Sequence, residues 1–242
     1  MSQWTRNVSQ ICPNKLRTLL LITVISAPHH VKERDAIRKG WGATALAMPK
    51  VALVFLVGQN ESLLTDLIDE SDHNQDLVIT NHVDSYQNLT LKTLAAFDWM
   101  RTFCPKAEYL LKTDDDMFIQ VLKNFSVVLY KFFKTFFNLV PNSMYLQKLQ
   151  VRRLMMMIRG LQTGGSGGSK GLIVGNIASG WTPVRNPQSK YFITEEQYSE
   201  ASYPPFATGP SYLGGNQVKC AEFLKNKIKM WFLIHNPPVH DG

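Results

Sequence analysis

Three consecutive carboxylates, Asp114, Asp115 and Asp116, follow an apolar run in "YLLKTDDDMFI", Tyr109 to Ile119. Adjacent carboxylates repel one another and are tolerated when solvated or when a cation neutralises them. Alternate residues of an extended segment point the same way. Asp114 and Asp116 are thus expected on one side and Asp115 on the other. Two carboxylates on one side make an oxygen-rich site for a hard divalent ion such as Mg²⁺ or Mn²⁺. An ion held by one or two protein carboxylates also binds substrate phosphates, and as a Lewis acid it neutralises a departing diphosphate. Taken alone, a triple Asp is more often a solvated turn or a helix start.

The elements before the acids give a first reason to prefer a site, narrowing those odds without reversing them. Leu19 to Ile25 and Val51 to Val57 are continuous apolar runs of strand length. "DLVITNHVD" gives a shorter strand, and Tyr109 to Lys112 a fourth. Between them lie helical patterns. "VKERDAIRKGWG" is stopped near Gly40 and Gly42, Glu61 to Asp72 is amphipathic, and "NLTLKTLAAFDWMRTF" carries Leu91, Leu94, Ala95 and Trp99 at helical period. Alternating strands and helices predict an α/β fold with a mainly parallel sheet. Such sheets bind ligands beyond the carboxyl ends of their strands, where the acids sit. Past Asp116 the pattern is poorer. Val121 to Phe137 is apolar and aromatic, Met144 to Arg159 is basic and Met-rich, and "TGGSGGSKG" is flexible by composition.

The 242 residues suffice for one large or two small domains, and 45% hydrophobic content suits a globular core. No apolar run approaches the ~20 residues of a membrane helix, and Met1 to Lys15 lacks the apolar region of a signal peptide. The net charge of +7 is uneven. Met117 to Thr194 contains no acid and ten of the 26 basic residues, so 16 basic residues face all 19 acids elsewhere, a balance of −3. That distribution argues against a nucleic-acid interface for the whole chain and leaves only Lys123 to Lys190 as a candidate for RNA or an anionic membrane. Cys12, Cys104 and Cys220 have no metal-ligand spacing and are expected as buried apolar residues, with at least one thiol free if a bridge forms. The redox compartment stays open. Four N-x-S/T sequons occur, at Asn7, Asn60, Asn88 and Asn124.

Several separated stretches together resemble the β-1,3-galactosyltransferase and β-1,3-N-acetylglucosaminyltransferase family. They are "RDAIRKGWG", "VFLVG", "DSYQNLTLKT", "YLLKTDDDMFI", "PVRNPQSKYFITEEQY" and "YPPFATGPSYL", in the family's order and approximate spacing. The resemblance covers about Leu19 to Phe125 and Ile173 to Leu213. It implies a GT-A type nucleotide-sugar transferase fold with a Rossmann-like donor half. It implies Mn²⁺, a UDP-galactose or UDP-N-acetylglucosamine donor, inversion at the anomeric carbon, and a glycan acceptor on a glycoprotein or glycolipid. On that analogy Asp114 and Asp116 form the Asp-x-Asp metal motif and Asp115 faces the donor. Arg34 and Arg38 match "RxxIRxxW" and would meet a diphosphate, with Trp41 as its aromatic residue. Asp84 and Lys92 match "DxYxNLTxK". Tyr203, Pro204, Pro205 and Gly209 match an acceptor-side loop. The family location is the Golgi membrane, in type II orientation.

The resemblance divides the chain into an extension (1–18), a donor half (19–125), an atypical basic, Met- and Gly-rich insertion (126–170), an acceptor-side half (171–213) and a divergent tail (214–242). The family's general base comes from a Glu-Asp motif beyond the YPP loop. After Leu213 this sequence holds Glu222 and Asp241 but no Glu-Asp pair, so the base has no assigned residue. The family's signal anchor is missing as well. The abrupt loss of resemblance favours a truncated or mis-spliced product with a correct donor half. The alternative is a catalytically silent relative that binds a UDP-sugar or a glycan.

Overall fold

The computed structural model describes residues 4–12, 18–85, 88–120, 149–150, 173–189, 191–203 and 206–215. Among them the strands are β1 (Trp4–Arg6), β2 (Leu20–Ile25), β3 (Val51–Gln59), β4 (Leu77–Val83), β5 (Tyr109–Asp114), β6 (Ile119–Gln120), β7 (Leu149–Gln150), β8 (Ile173–Ala178) and β9 (Phe206–Gly215). The helices are α1 (Val31–Lys39), α2 (Trp41–Leu46), α3 (Leu64–Asn74) and α4 (Leu89–Phe103). One sheet runs in the order β1-β4-β3-β2-β5-β9-β8. Its centre, β4-β3-β2-β5, is parallel, and β1 on one side and β9 and β8 on the other are antiparallel. This is the expected α/β sheet of mostly parallel central strands.

Both faces of the centre are covered, which explains why β2 and β3 read as unbroken apolar runs. Leu20, Ile22 and Val24 of β2 pack with Ile37, Trp41 and Leu67 on one face. Leu21 and Ile25 pack with Ala95, Trp99 and Met100 of α4 on the other. Successive side chains alternate between the two cores, as a pleated strand requires.

Among the described residues, strand order reverses within the parallel centre of the sheet at β2. From β2 the chain steps outward to β3 and β4, then returns to the opposite side of β2 as β5. Ligands of open α/β sheets bind at the carboxyl ends beside such a switch point. Register sets Ile25 opposite Asp114 there.

The N-terminal segment, read from sequence as an extension, contributes the edge strand β1 and is stapled to the core by a Cys12–Cys104 disulfide. This corrects the expectation of isolated apolar cysteines. Both residues are indeed buried, but they are bonded to each other across a sequence separation of 92. Closing so long a loop restricts the unfolded chain, and removing the bridge should cost about 2–4 kcal/mol. Urea unfolding of Cys12→Ser/Cys104→Ser beside the oxidised parent measures this; coincident midpoints would contradict it. The 126–170 insertion lies outside the described residues apart from β7, as does the tail beyond Gly215.

Candidate active site

Strand β5 delivers the acids, but its extended conformation stops at Asp114, and Asp115 and Asp116 turn away from the strand. The expected alternation of the three carboxylates therefore ends with the first. Each has a different environment. Asp114 Oδ1 accepts a 2.5 Å bond from Lys112 Nζ. Asp115 Oδ2 accepts from the Ser26 hydroxyl at 2.6 Å and lies 2.8 Å from His30 Nδ1. Asp116 is exposed and forms no ion pair among the described residues. Although the side chain reaches solvent, partial desolvation by the surrounding protein, followed by repulsion from Asp114 and Asp115, holds the Asp116 carboxyl above its usual range. Burial likewise raises Asp114, against the pull of Lys112.

Ser26, the residue after β2, is the hub of the site and had no signature in the sequence. Its hydroxyl accepts from Arg34 at 2.9 Å while donating to Asp115, and its carbonyl accepts from Lys92 Nζ at 2.9 Å. The backbone of β2 thereby positions an acid 89 residues later in the chain.

Arg34 and Arg38 were expected to face a diphosphate. The structure assigns their donors elsewhere. Arg34 is fully buried, and its five N–H groups meet five acceptors. Nε and one terminal nitrogen grip Glu70 as a fork, and the remaining bonds go to Ser26 Oγ and to the carbonyls of Ala27 and Pro28. With every donor used, Arg34 shapes the β2–α1 loop and leaves no N–H for a ligand. Arg38 binds Asp76 through two nitrogens, shares Glu70, and lies 4.7 Å over the Phe55 ring. Burial would raise the Glu70 carboxyl, but the bonds and charges of Arg34 and then Arg38 prevail and hold it low.

Asp84 and Lys92, matched from sequence only as parts of one motif, form an ion pair at 2.8 Å, with Lys92 buried. They form a strut between β2 and the end of β4: Lys92 donates to Ser26 O, and Asp84 Oδ2 also accepts from Gly58 N at 2.9 Å. Gly58 is required for that approach, because an added Cβ would meet Asp84 atoms at 2.8–2.9 Å, including its Cα. Gly58→Ala should displace Asp84 and cost about 1–3 kcal/mol. Thermal melting measures the loss, and an unchanged Tm would show that the strut tolerates the shift.

Two further residues complete the site. Trp41 is buried, and its indole N–H donates to Met117 O at 3.0 Å, holding the exit of the acid turn from helix α2. Lys112, buried within β5, donates to Asp114 and, at 3.2 Å, to Pro210 O of β9. It ties the acids to the half of the sheet assigned from sequence to the acceptor. The parity of the strand could have revealed Lys112, since it lies two residues before Asp114 and so on the same face.

Of the acceptor-side residues, Tyr203 sits in a small separate core with Ala178, Ile193 and Tyr198. Burial pushes its phenol up to about 12, Arg185 offsetting part of the effect. Arg185 itself, part of the basic segment, donates to the carbonyls of Ile193 and Tyr198. Gly209 lies within strand β9 and not in a loop, a correction to the sequence reading: "FATGPSYLGG" pairs with β8 and β5. Pro204, Pro205 and Asn124 lie outside the described residues.

The comparisons agree with this architecture. Residues 32–156 match the Galactosyltransferase family model. Beta-1,3-galactosyltransferase 4 of Mus musculus is 33% identical over 198 residues, covering 80% of this chain and 51% of that protein. Beta-1,3-galactosyltransferase 1 of Homo sapiens is 30% identical over 236 residues, covering 95% of this chain and 61% of that protein. The chain thus spans about half to three fifths of the length of these curated relatives. With the match running through the acid turn and both arginines of α1, the chain belongs to the galactosyltransferase family.

Proposed function

We propose that the chain transfers galactose or N-acetylglucosamine from a UDP-sugar to a glycan hydroxyl in β-1,3 linkage, with inversion and with a divalent metal, Mn²⁺. The observation that carries the reading is the placement of three carboxylates at the switch point of the sheet, with Asp116 exposed and unpaired among the described residues. The donor set fits such an ion, being oxygen only. Among the described residues no group of three or more His, Cys, Asp or Glu side chains makes a complete cage. Asp114 and Asp116 would hold the ion, and donor phosphates would supply further ligands. Bound there, the metal would neutralise charge on the leaving UDP. The chain's own part is to keep the acids in place: Ser26 and His30 fix Asp115, Lys112 fixes Asp114, and Trp41 fixes the turn behind them. The acceptor is a glycan of a glycoprotein or glycolipid, and the location is the Golgi membrane. Among the described residues no helix is long and apolar enough to cross a membrane.

The second reading, a silent UDP-sugar or glycan binder, is favoured by one observation, the lack of a Glu-Asp pair between Gly214 and Gly242. Calorimetric titration of UDP with and without Mn²⁺, followed by a transfer assay to β-linked acceptors, separates the two. Metal-dependent binding with transfer supports the enzyme. Binding without transfer to any acceptor supports the silent relative. No UDP binding by a folded chain rejects the enzyme and the UDP-sugar binder.

A further inference from the structure

We infer that Asn60 carries an N-linked glycan, on the rim of the sheet edge that bears the acids. Asn60 immediately follows β3, with extended backbone, and caps the short 3₁₀ turn Glu61–Leu63. Its Oδ1 accepts from Ser62 N at 3.1 Å and from Ser62 Oγ at 2.7 Å. The hydroxyl of the sequon therefore already polarises the amide that must react. Asn60 Nδ2 has no partner among the described residues, and both Glu61 and Ser62 are exposed. The other described sequons differ. Asn7 Oδ1 accepts from the Trp99 indole at 2.7 Å, beside the buried Val8. Asn88 Nδ2, the nitrogen that would be modified, donates to Val83 O at 2.8 Å.

A second, independent observation sets the compartment. The buried Cys12–Cys104 disulfide belongs to an oxidising lumen, which is where sequons are read. The inference rests on the lumenal location in the proposed function. The co-substrate is an oligosaccharide linked to a lipid diphosphate. Asn60 Nδ2 bonds to the anomeric carbon, the bond from that carbon to the diphosphate oxygen breaks, the lipid diphosphate leaves, and Nδ2 loses one proton.

The test is gel mobility of the full 242-residue chain, secreted from human cells behind a cleavable leader, before and after peptide N-glycosidase. Single variants are needed because Asn60 and Asn88 share one tryptic peptide, residues 51–92. Asn60→Gln and Ser62→Ala should each lose one glycan step, and Ser62→Thr should keep it, which separates loss of the acceptor from loss of the cap. Asn60→Gln migrating with the parent, while Asn7→Gln or Asn88→Gln loses a step, would overturn the assignment and leave the lumenal reading intact. A parent with no glycan and with Cys12 and Cys104 open to alkylation would overturn the lumenal reading as well. Neither outcome bears on UDP binding, which is measured separately.

Discussion

Asp116→Asn should weaken Mn²⁺-dependent UDP binding by about a hundredfold or more, and in metal-free buffer it should melt slightly above the parent. The two effects have one origin. Of the three acids Asp116 alone has no ion pair among the described residues, and partial desolvation, followed by repulsion from two neighbouring acids, disfavours its charge. Because its folded pKa is raised, the ionised group costs stability at neutral pH; that cost vanishes below the ordinary Asp value near 4 and grows as pH rises through the folded value. The gain on neutralisation is under about 1 kcal/mol, since the side chain is exposed and solvent screens the repulsion. A ligand site kept at the expense of stability has this signature. Calorimetry and melting curves on the same two proteins check it. Equal UDP affinity in both, with and without Mn²⁺, would remove Asp116 from the metal site. A lower Tm for the variant would show that the acid has a structural partner.

Arg34→Lys should destabilise the chain by about 3–5 kcal/mol, the largest single loss expected from a conservative change. Lysine has three donors in place of five and cannot fork Glu70 while also reaching Ser26, Ala27 and Pro28. Glu70 would keep only Arg38. In the parent the depressed Glu70 pKa adds stability that is present above its unfolded value, near 4.3, and lost as pH falls through the lower folded value. In Arg34→Lys this acid transition should move to higher pH. Urea midpoints measured from pH 7 down to pH 3 test both statements. A loss under about 1 kcal/mol would mean that the five-bond arrangement is not formed in solution.

The sequence showed the repeating units of this fold better than their connections. Strands β2, β3 and β5 and helix α4 were readable because burial on both faces leaves continuous apolar runs and a helical stripe. The break at Gly40 was readable too, and α1 ends at Lys39; the expected stop at Gly42 is not found, because Gly42 is a buried residue within α2. Strand β1 was not, because three residues of "WTR" carry no periodicity and gain their place from pairing with β4. The acids were found from their position after a strand. The destination of Arg34 and Arg38 was hidden because their acceptors lie more than thirty residues on, Glu70 within α3 and Asp76 just beyond it. From α1 alone, an arginine bound to substrate and an arginine bound to a structural acid look the same. Ser26 was hidden for a similar reason: a serine after a strand is ordinary until β5 is laid beside β2.

The pairing of β2 with β5 also fixes when the site can exist. Leu20 lies against Tyr109, so the chain must close a span of nearly ninety residues before the acids have a neighbour. Such non-local parallel pairing is slow, because closure entropy is spent before contacts offset it. A nascent chain still emerging from the ribosome short of β5 has a half-built sheet and no acid turn. The Cys12–Cys104 bond spans almost the same interval. Once oxidised, it keeps the two ends of that span together, so the oxidised chain regains its acid turn faster than the reduced one after dilution from denaturant.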